Sequence, residues 1–239
     1  MITTNVLQRV FHVKYKTNVG TAFTIEHENN QYLLSAKHVF PDLKSSDEIE
    51  IVHENKWKKI KIQVVGVAPN QIDIIVLALP LQISPTYSLP TTLGGVSLGQ
   101  NVYFLGFPFG LSCEVGKLNR DFPLPLVKKG CLSALLGHAK ESDPNILLID
   151  GINNPGFSGG PVVCSKQNKI TNYHVIGVIS GYRFQEQNTY YEDKPFPITY
   201  KVNTGIIIAY GINHAVDIIK SNAIGFKIKQ AHNNSIHRT

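Results

Sequence analysis

The chain has 239 residues, 43% hydrophobic and 17% charged, enough apolar material to bury one large core or two small ones. No apolar run approaches the length needed to cross a bilayer, so an integral membrane helix is not expected. The net charge of +6 is dispersed. The cluster Lys56-Trp57-Lys58-Lys59 continues into Ile60-Lys61-Ile62 as an alternating strand face, the other basic cluster is the tail from Lys220, and no nucleic-acid module motif is present. Nucleic acid is therefore not an expected partner.

Residues 1–15 alternate polar and apolar side chains without the continuous apolar segment of a secretory signal, from which cytoplasmic residence is expected. Short strand-like runs follow at 19–26, 31–35, 48–52, 58–67 and 74–79, punctuated by turn pairs such as Asn29-Asn30 and Asn70-Gln71. Residues 81–95, with Pro85, Pro90 and Gly94-Gly95, read as a linker. A second set of runs covers 101–105, 128–135, 145–149, 161–164, 174–180 and 201–208, and residues 184–203, rich in tyrosine and charge, read either as an insert that recruits a partner or simply as a long hairpin. Apolar residues at Ile212, Ala215, Val216, Ile218 and Ile219 suit one short amphipathic helix. The expected organisation is all-β: one unit over residues 1–90, a second over 91–222 that ends in the helix, and a polar, frayed tail over 223–239. Cys113, Cys131 and Cys164 cannot all pair and match no metal-ligand spacing. They are expected to be buried reduced thiols, and neither metal nor cofactor is expected.

The stretch Asn154-Pro155-Gly156-Phe157-Ser158-Gly159-Gly160-Pro161 lies between two apolar runs. Glycines there permit unusual dihedrals and close ligand approach, and Pro155 presets the turn. If Ser158 is a nucleophile, the backbone N–H groups of Gly156 and Ser158 supply a site for a carbonyl oxygen gaining negative charge. A glycine-rich hairpin with an idle serine is the competing reading. A serine hydroxyl needs a base, and the base an orienting carboxylate. His38, at the end of the run Leu33-Leu34-Ser35-Ala36-Lys37, and Asp73, before the apolar run Ile74-Ile75-Val76-Leu77, supply both types. Against them stand a histidine that only packs at a strand end and a solvated turn acid. Asp42 is too close to His38 along the chain, and Asp47 sits in a charged loop.

The order His, Asp, Ser, with Gly20-Thr21-Ala22-Phe23 and the Ser158 motif, resembles the trypsin-like serine proteases. Residues 102–110, 130–135, 150–161 and 205–211 resemble the bacterial HtrA-type branch. The resemblance implies a chymotrypsin-like pair of packed six-stranded antiparallel β-barrels. It also implies a His38, Asp73, Ser158 triad in the cleft between them, acting as a serine endopeptidase on protein or peptide substrates. It assigns the primary pocket to residues 150–155 and 178–182, with Ile152, Asn153, Ile179, Ser180, Gly181 and Tyr182 as substrate contacts. Ile152 stands where enzymes for basic residues keep an acid, so cleavage after small or medium apolar residues is expected. Phe157 replaces the aspartate that pairs with a new N-terminus in secreted relatives, so activation by that salt bridge is excluded. Residues 111–127 form a candidate regulatory loop, equally readable as a surface excursion, and no PDZ domain fits after Ile219. Two alternatives stay open: a silent protease-fold binding module, and a gated effector of a larger stress or defence assembly that needs a regulatory protein partner. An α/β-hydrolase esterase fits less well, since the chain is nearly all strand.

Overall fold

A computed structural model describes residues 2–69, 71–137, 143–165 and 172–228. After a helical turn α1 (Thr4–Leu7), strands β1 (Val10–Tyr15), β2 (Asn18–His27), β3 (Asn30–Ser35), β4 (Glu48–His53), β5 (Lys56–Lys61), β6 (Gln63–Val67) and β7 (Ile75–Ala78) form one antiparallel sheet, in the order β5-β4-β1-β2-β3-β7-β6. Strands β8 (Asn101–Gly106), β9 (Leu126–Leu136), β10 (Ile146–Asp150), β11 (Pro161–Ser165), β12 (Tyr173–Tyr191) and β13 (Lys194–Gly211) close a six-stranded barrel in the order β10-β13-β12-β11-β8-β9. Helix α2 (Asn213–Ser221) follows, and β14 (Phe226–Lys227) returns to the edge of β3.

The all-β double architecture agrees with the sequence reading; the first sheet carries eight strands rather than six, because the run at 58–67 divides into β5 and β6 and because β14 joins it. β1 falls within the stretch read only as alternating. β14 also corrects the expected fraying after Asn222: Phe226 pairs with Gln31, and Ile224 packs against the core. Of the expected turn pairs, Asn70 lies outside the described residues, as do residues 229–239 of the tail. No helix among the described residues is long and apolar enough to cross a membrane.

Three buried clusters explain the packing. In β3 and β7 alternate residues face opposite sides: Leu33, Ile75 and Leu77 join a cluster with Phe11, Ile49 and Phe40, whereas Tyr32, Leu34 and Val76 join one with Leu105, Val163, Val175 and α2's Ala215 and Ile219. Both faces of this sheet are therefore covered, which is why the sequence there reads as an unbroken apolar run. The third cluster, with Phe104, Leu132, Ile149, Phe157 and Ile207, fills the closed barrel. The cluster that includes Leu34 and Val175 draws side chains from both units and so holds them together.

Cys164 is buried, but Cys131 is half-buried and Cys113 exposed, so the expectation of three buried thiols holds for one only. The short runs around Cys113 and Cys131 lie on a loop and on a strand with alternating exposure, where a small apolar side chain carries no burial signal of its own. The 111–127 segment is tied to the first sheet: the Glu54 N–H donates to the Asp121 carbonyl at 2.8 Å, Arg120 donates to the Ile83 carbonyl at 2.6 Å, and Phe122 meets Phe11 edge-on.

Candidate active site

β3 and β7 are neighbours, with Ser35 paired to Ile75. That register brings the residues just after β3 and just before β7 to one end of the sheet. His38 occupies a short 3-10 turn there (Lys37–Val39), and Asp73 approaches from the other strand. His38 Nδ1 lies 2.6 Å from Asp73 Oδ2, and the His38 backbone N–H donates to Asp73 Oδ1 at 3.0 Å. Both carboxylate oxygens thus hold one residue, leaving His38 Nε2 for another partner. The Ser180 hydroxyl, from β12 of the barrel, donates to Asp73 Oδ2 at 2.6 Å. Burial opposes ionisation of Asp73, but the hydrogen bonds from His38 and Ser180 together with the imidazole charge outweigh it and hold the carboxyl below its usual value.

Ser158 lies in the turn between β10 and β11. Its hydroxyl donates to the Ser180 carbonyl at 3.1 Å, so Ser180 links the serine to the His38–Asp73 pair: one residue accepts from Ser158 and donates to Asp73. The turn is gripped from both units. Thr21 of β2 donates its N–H to the Ser158 carbonyl at 2.8 Å and its hydroxyl to the Gly156 carbonyl at 2.7 Å, and its hydroxyl accepts from the Phe107 N–H at 3.2 Å. Gly159 donates to the Ile179 carbonyl at 2.7 Å. The φ of Gly159 is +84°, and a Cβ there would sit 2.1 Å from both Ser35 Oγ and the Thr21 carbonyl, so only glycine fits. Phe157 is fully buried, its ring edge-on to Phe104 at 5.1 Å, where it anchors the turn in the barrel core.

The Pro155 carbonyl accepts from the Phe109 N–H at 3.0 Å, which turns it toward the loop after β8. Phe109 holds a left-handed conformation (φ 55°) to make this bond, strain of about 1 kcal/mol for a bulky residue. Among the described residues the Gly156 and Ser158 N–H groups have no intramolecular acceptor, in a turn where most other polar groups are paired.

The expected pocket residues divide. Ser180, Gly181 and Tyr182 continue along β12 beside Ser158. Ile152 is 57% exposed and does not form a buried floor. Asn153 is buried, with its carbonyl accepting from the Asn203 side chain at 2.6 Å. Ile179 is a correction: its side chain belongs to the closed-barrel core, and it meets the site through its main chain alone. Lys128, not singled out in the sequence, donates to the Ile152 carbonyl and lies 3.4 Å from Asn154 Oδ1, placing a cation behind the loop. Thr21 and the Phe109 N–H were also missed as positioning groups. The Gly20-Thr21 motif is the only sequence signal for either. Asp47, one of the competing acids, accepts from the Tyr15 hydroxyl at 2.7 Å. Among the described residues no cluster of three or more His, Cys, Asp or Glu is placed to hold a metal ion.

Residues 20–178 match the family described as the trypsin-like peptidase domain. No curated protein sequence matches the chain significantly. Among solved structures, the HtrA-type protease AlgW with a tripeptide superposes with a TM-score of 0.59 at 22% identity, over 91% of this chain and 61% of that one. A serine endoprotease from Yersinia pestis gives 0.57 at 20% identity, over 91% and 63%. The active form of a protease from M. tuberculosis gives 0.61 at 15% identity, over 94% and 84%. The chain thus spans about three fifths of the length of the HtrA-type structure it matches, and these likenesses carry the fold. The matched family covers most of the chain, including the turn before β11 and the two strands that bring His38 and Asp73 together, so the chain belongs to the trypsin-like peptidase family.

Proposed function

We propose that Ser158 attacks the scissile carbonyl of a peptide, that His38 Nε2 takes its proton and returns it to the leaving amine, and that Asp73 holds the imidazole tautomer with Nδ1 protonated. The observation that carries this reading is the hydrogen-bonded chain Ser158–Ser180–Asp73–His38. The free N–H groups of Gly156 and Ser158 are the donors for the developing oxyanion. The Ser158 hydroxyl is spent on the Ser180 carbonyl, so it must rotate toward His38 before transfer. A substrate strand whose own N–H takes that carbonyl releases it. Ser180 is therefore a positioning residue at two points, steadying Asp73 and holding the resting serine.

The specificity reading is cleavage after small or medium apolar residues. Ile152 supplies no acid, and Lys128 behind the same loop disfavours a lysyl or arginyl side chain. Cytoplasmic residence is part of the proposal, supported by three free thiols, one of them exposed.

A fluorophosphonate probe read by intact mass tests the nucleophile. The expected result is one adduct on the wild type, none on Ser158→Ala, and a fall in kcat of about 10⁴-fold or more for Ser158→Ala or His38→Ala with the fold retained. Undiminished turnover in Ser158→Ala would refute the assignment. The second reading, a gated effector that a regulatory protein partner switches on, is favoured by the resting Ser158–Ser180 bond; it requires no adduct on the folded isolated chain and one when the partner is added.

A further inference from the structure

Strand β12 does not end at the cleft. It pairs with β11 only over residues 173–178, and Ile179 bonds to the serine turn; beyond that, residues 181–191 pair on one side alone, with β13. The two strands run out as a ribbon to Tyr191 and Lys194. Exposed apolar side chains cover it, among them Tyr190 (63%), Tyr191 (67%) and Ile198 (55%). A two-stranded ribbon of this kind leaves two rows of unpaired N–H and C=O groups, one on each edge, and proteins ordinarily guard such edges with lysine and proline. Here the guarding is lopsided. The β13 side of the ribbon carries Lys194, Pro195, Pro197 and Lys201. The β12 side, residues 181–191, carries no lysine or proline, and its one arginine, Arg183, stands at the inner end, leaving Phe184 to Tyr191 without a basic residue. This less guarded edge is the one that continues from Ser180, whose carbonyl holds Ser158.

We propose that this edge is an extended substrate-binding strand, which pairs with the polypeptide N-terminal to the scissile bond well beyond the first three or four residues. The inference rests on the endopeptidase reading above and names its substrate class: unfolded or extended polypeptide offering about a dozen residues before the cleaved bond. Direction follows from antiparallel pairing. A chain that lies beside Ser180–Tyr182 with its scissile carbonyl at Ser158 has its N-terminal side running toward Phe184 and then Tyr191. Residues 184–191 would span roughly 26 Å of it at the rise of a strand. Main-chain hydrogen bonds supply the affinity, and the exposed rings of Tyr190 and Tyr191, on opposite faces of the strand, flank the substrate side chains on each face. Proline in the paired stretch of the substrate weakens binding, because it removes a donor and is poorly accommodated in a ladder.

The test uses Ser158→Ala protein and fluorescent peptides with valine before the scissile position and threonine-rich extensions of four or twelve residues on its N-terminal side. The expected result is a Kd for the long peptide at least about tenfold below that for the short one, as several added main-chain hydrogen bonds imply. Replacing residues 186–201 with an Asn-Gly turn, which suits a two-residue hairpin, should bring that ratio to about 1. Hydrogen exchange on the chain with its full ribbon provides a readout independent of the shortened variant: the long peptide should protect amides in 184–191 and leave those in 194–203 unchanged. Equal affinities, undetectable binding of the long peptide, protection of the β13 side, or a ribbon-dependent dimer in sedimentation with no length effect would each overturn the proposal. Failure of the endopeptidase reading is separate: it is read from wild-type protein that cleaves neither peptide, whatever Ser158→Ala binds.

Discussion

The inner part of β12, residues 173–180, and its outer part, residues 184–191, belong to one continuous strand built on opposite physical terms. The inner part is bonded on both sides from Val175 to Ile179. Val175, Ile176, Val178 and Ile179 are fully buried, and the main chain at Ile179 and Ser180 grips the serine turn. The outer part is paired on one side and exposed. Acyl transfer depends on placing donors to within a few tenths of an ångström, so its support is over-determined. An extended ligand needs an unsatisfied edge, and an edge remains available only where nothing packs on it. The fold meets both needs with one strand by letting it leave the barrel.

Substitutions can break the inner arrangement in a graded way. The largest effect is expected for Gly159→Ala, whose Cβ would overlap the Thr21 carbonyl at 2.1 Å in a left-handed turn. A loss of about 3 kcal/mol or more, measured by chemical denaturation, should accompany loss of activity.

Acid should loosen the same region. His12 is stacked on Phe107 at 4.8 Å beneath the loop that holds the Pro155 carbonyl, and burial lowers its pKa from 6.5 to about 4. The unfolded chain takes up this proton near pH 6.5 and the folded chain only near 4. Stability is therefore full above about pH 6.5 and falls as the pH drops toward 4, by on the order of 3 kcal/mol. Denaturation across that window should show the slope in wild type and a flatter one in His12→Phe; identical slopes would remove His12 as the cause.

Thr21→Val keeps the shape of Thr21 but leaves the buried Phe107 N–H without its acceptor and frees the Gly156 carbonyl. A cost of about 1–3 kcal/mol is expected, with kcat reduced more than KM altered, since the loosened group is the oxyanion turn. The smallest contrast lies within β12 itself. A Cβ at Gly177 would meet the Tyr210 carbonyl at 2.8 Å, whereas at Gly181 it meets nothing within 4 Å. Gly177→Ala should cost about 1–3 kcal/mol and Gly181→Ala less than about 0.5 kcal/mol. Equal costs would mean that packing does not change where the strand leaves the barrel.

Much of this was legible in the sequence because it is local. Strand runs, the turn glycines, the helix at Asn213–Ser221 and the His38, Asp73 and Ser158 candidates each follow from side-chain type and spacing within a short window. The all-β class followed from many short runs with turn signals between them. The exposure of Cys113, the second role of Ser180, the placement of Ile179 in the barrel core and the part played by Thr21 were not legible, because each depends on which distant strand lies alongside. Thr21 and Gly156 are brought together by the packing of the two units, and no spacing rule encodes that contact. The long hairpin was one of two readings of residues 184–203, and the structure bears it out; what stayed hidden was which of its edges is left open, because tyrosine and charge alternate there without a buried face. By itself the sequence determined the chemistry available, a serine in a glycine turn with a histidine and an acid upstream, since reactivity belongs to side-chain type. Only the tertiary structure decided that Ser180 joins these groups, that Phe109 turns the Pro155 carbonyl aside, and that one edge of β12 stays open, because hydrogen-bond partners and sheet edges exist only once strands have chosen their neighbours.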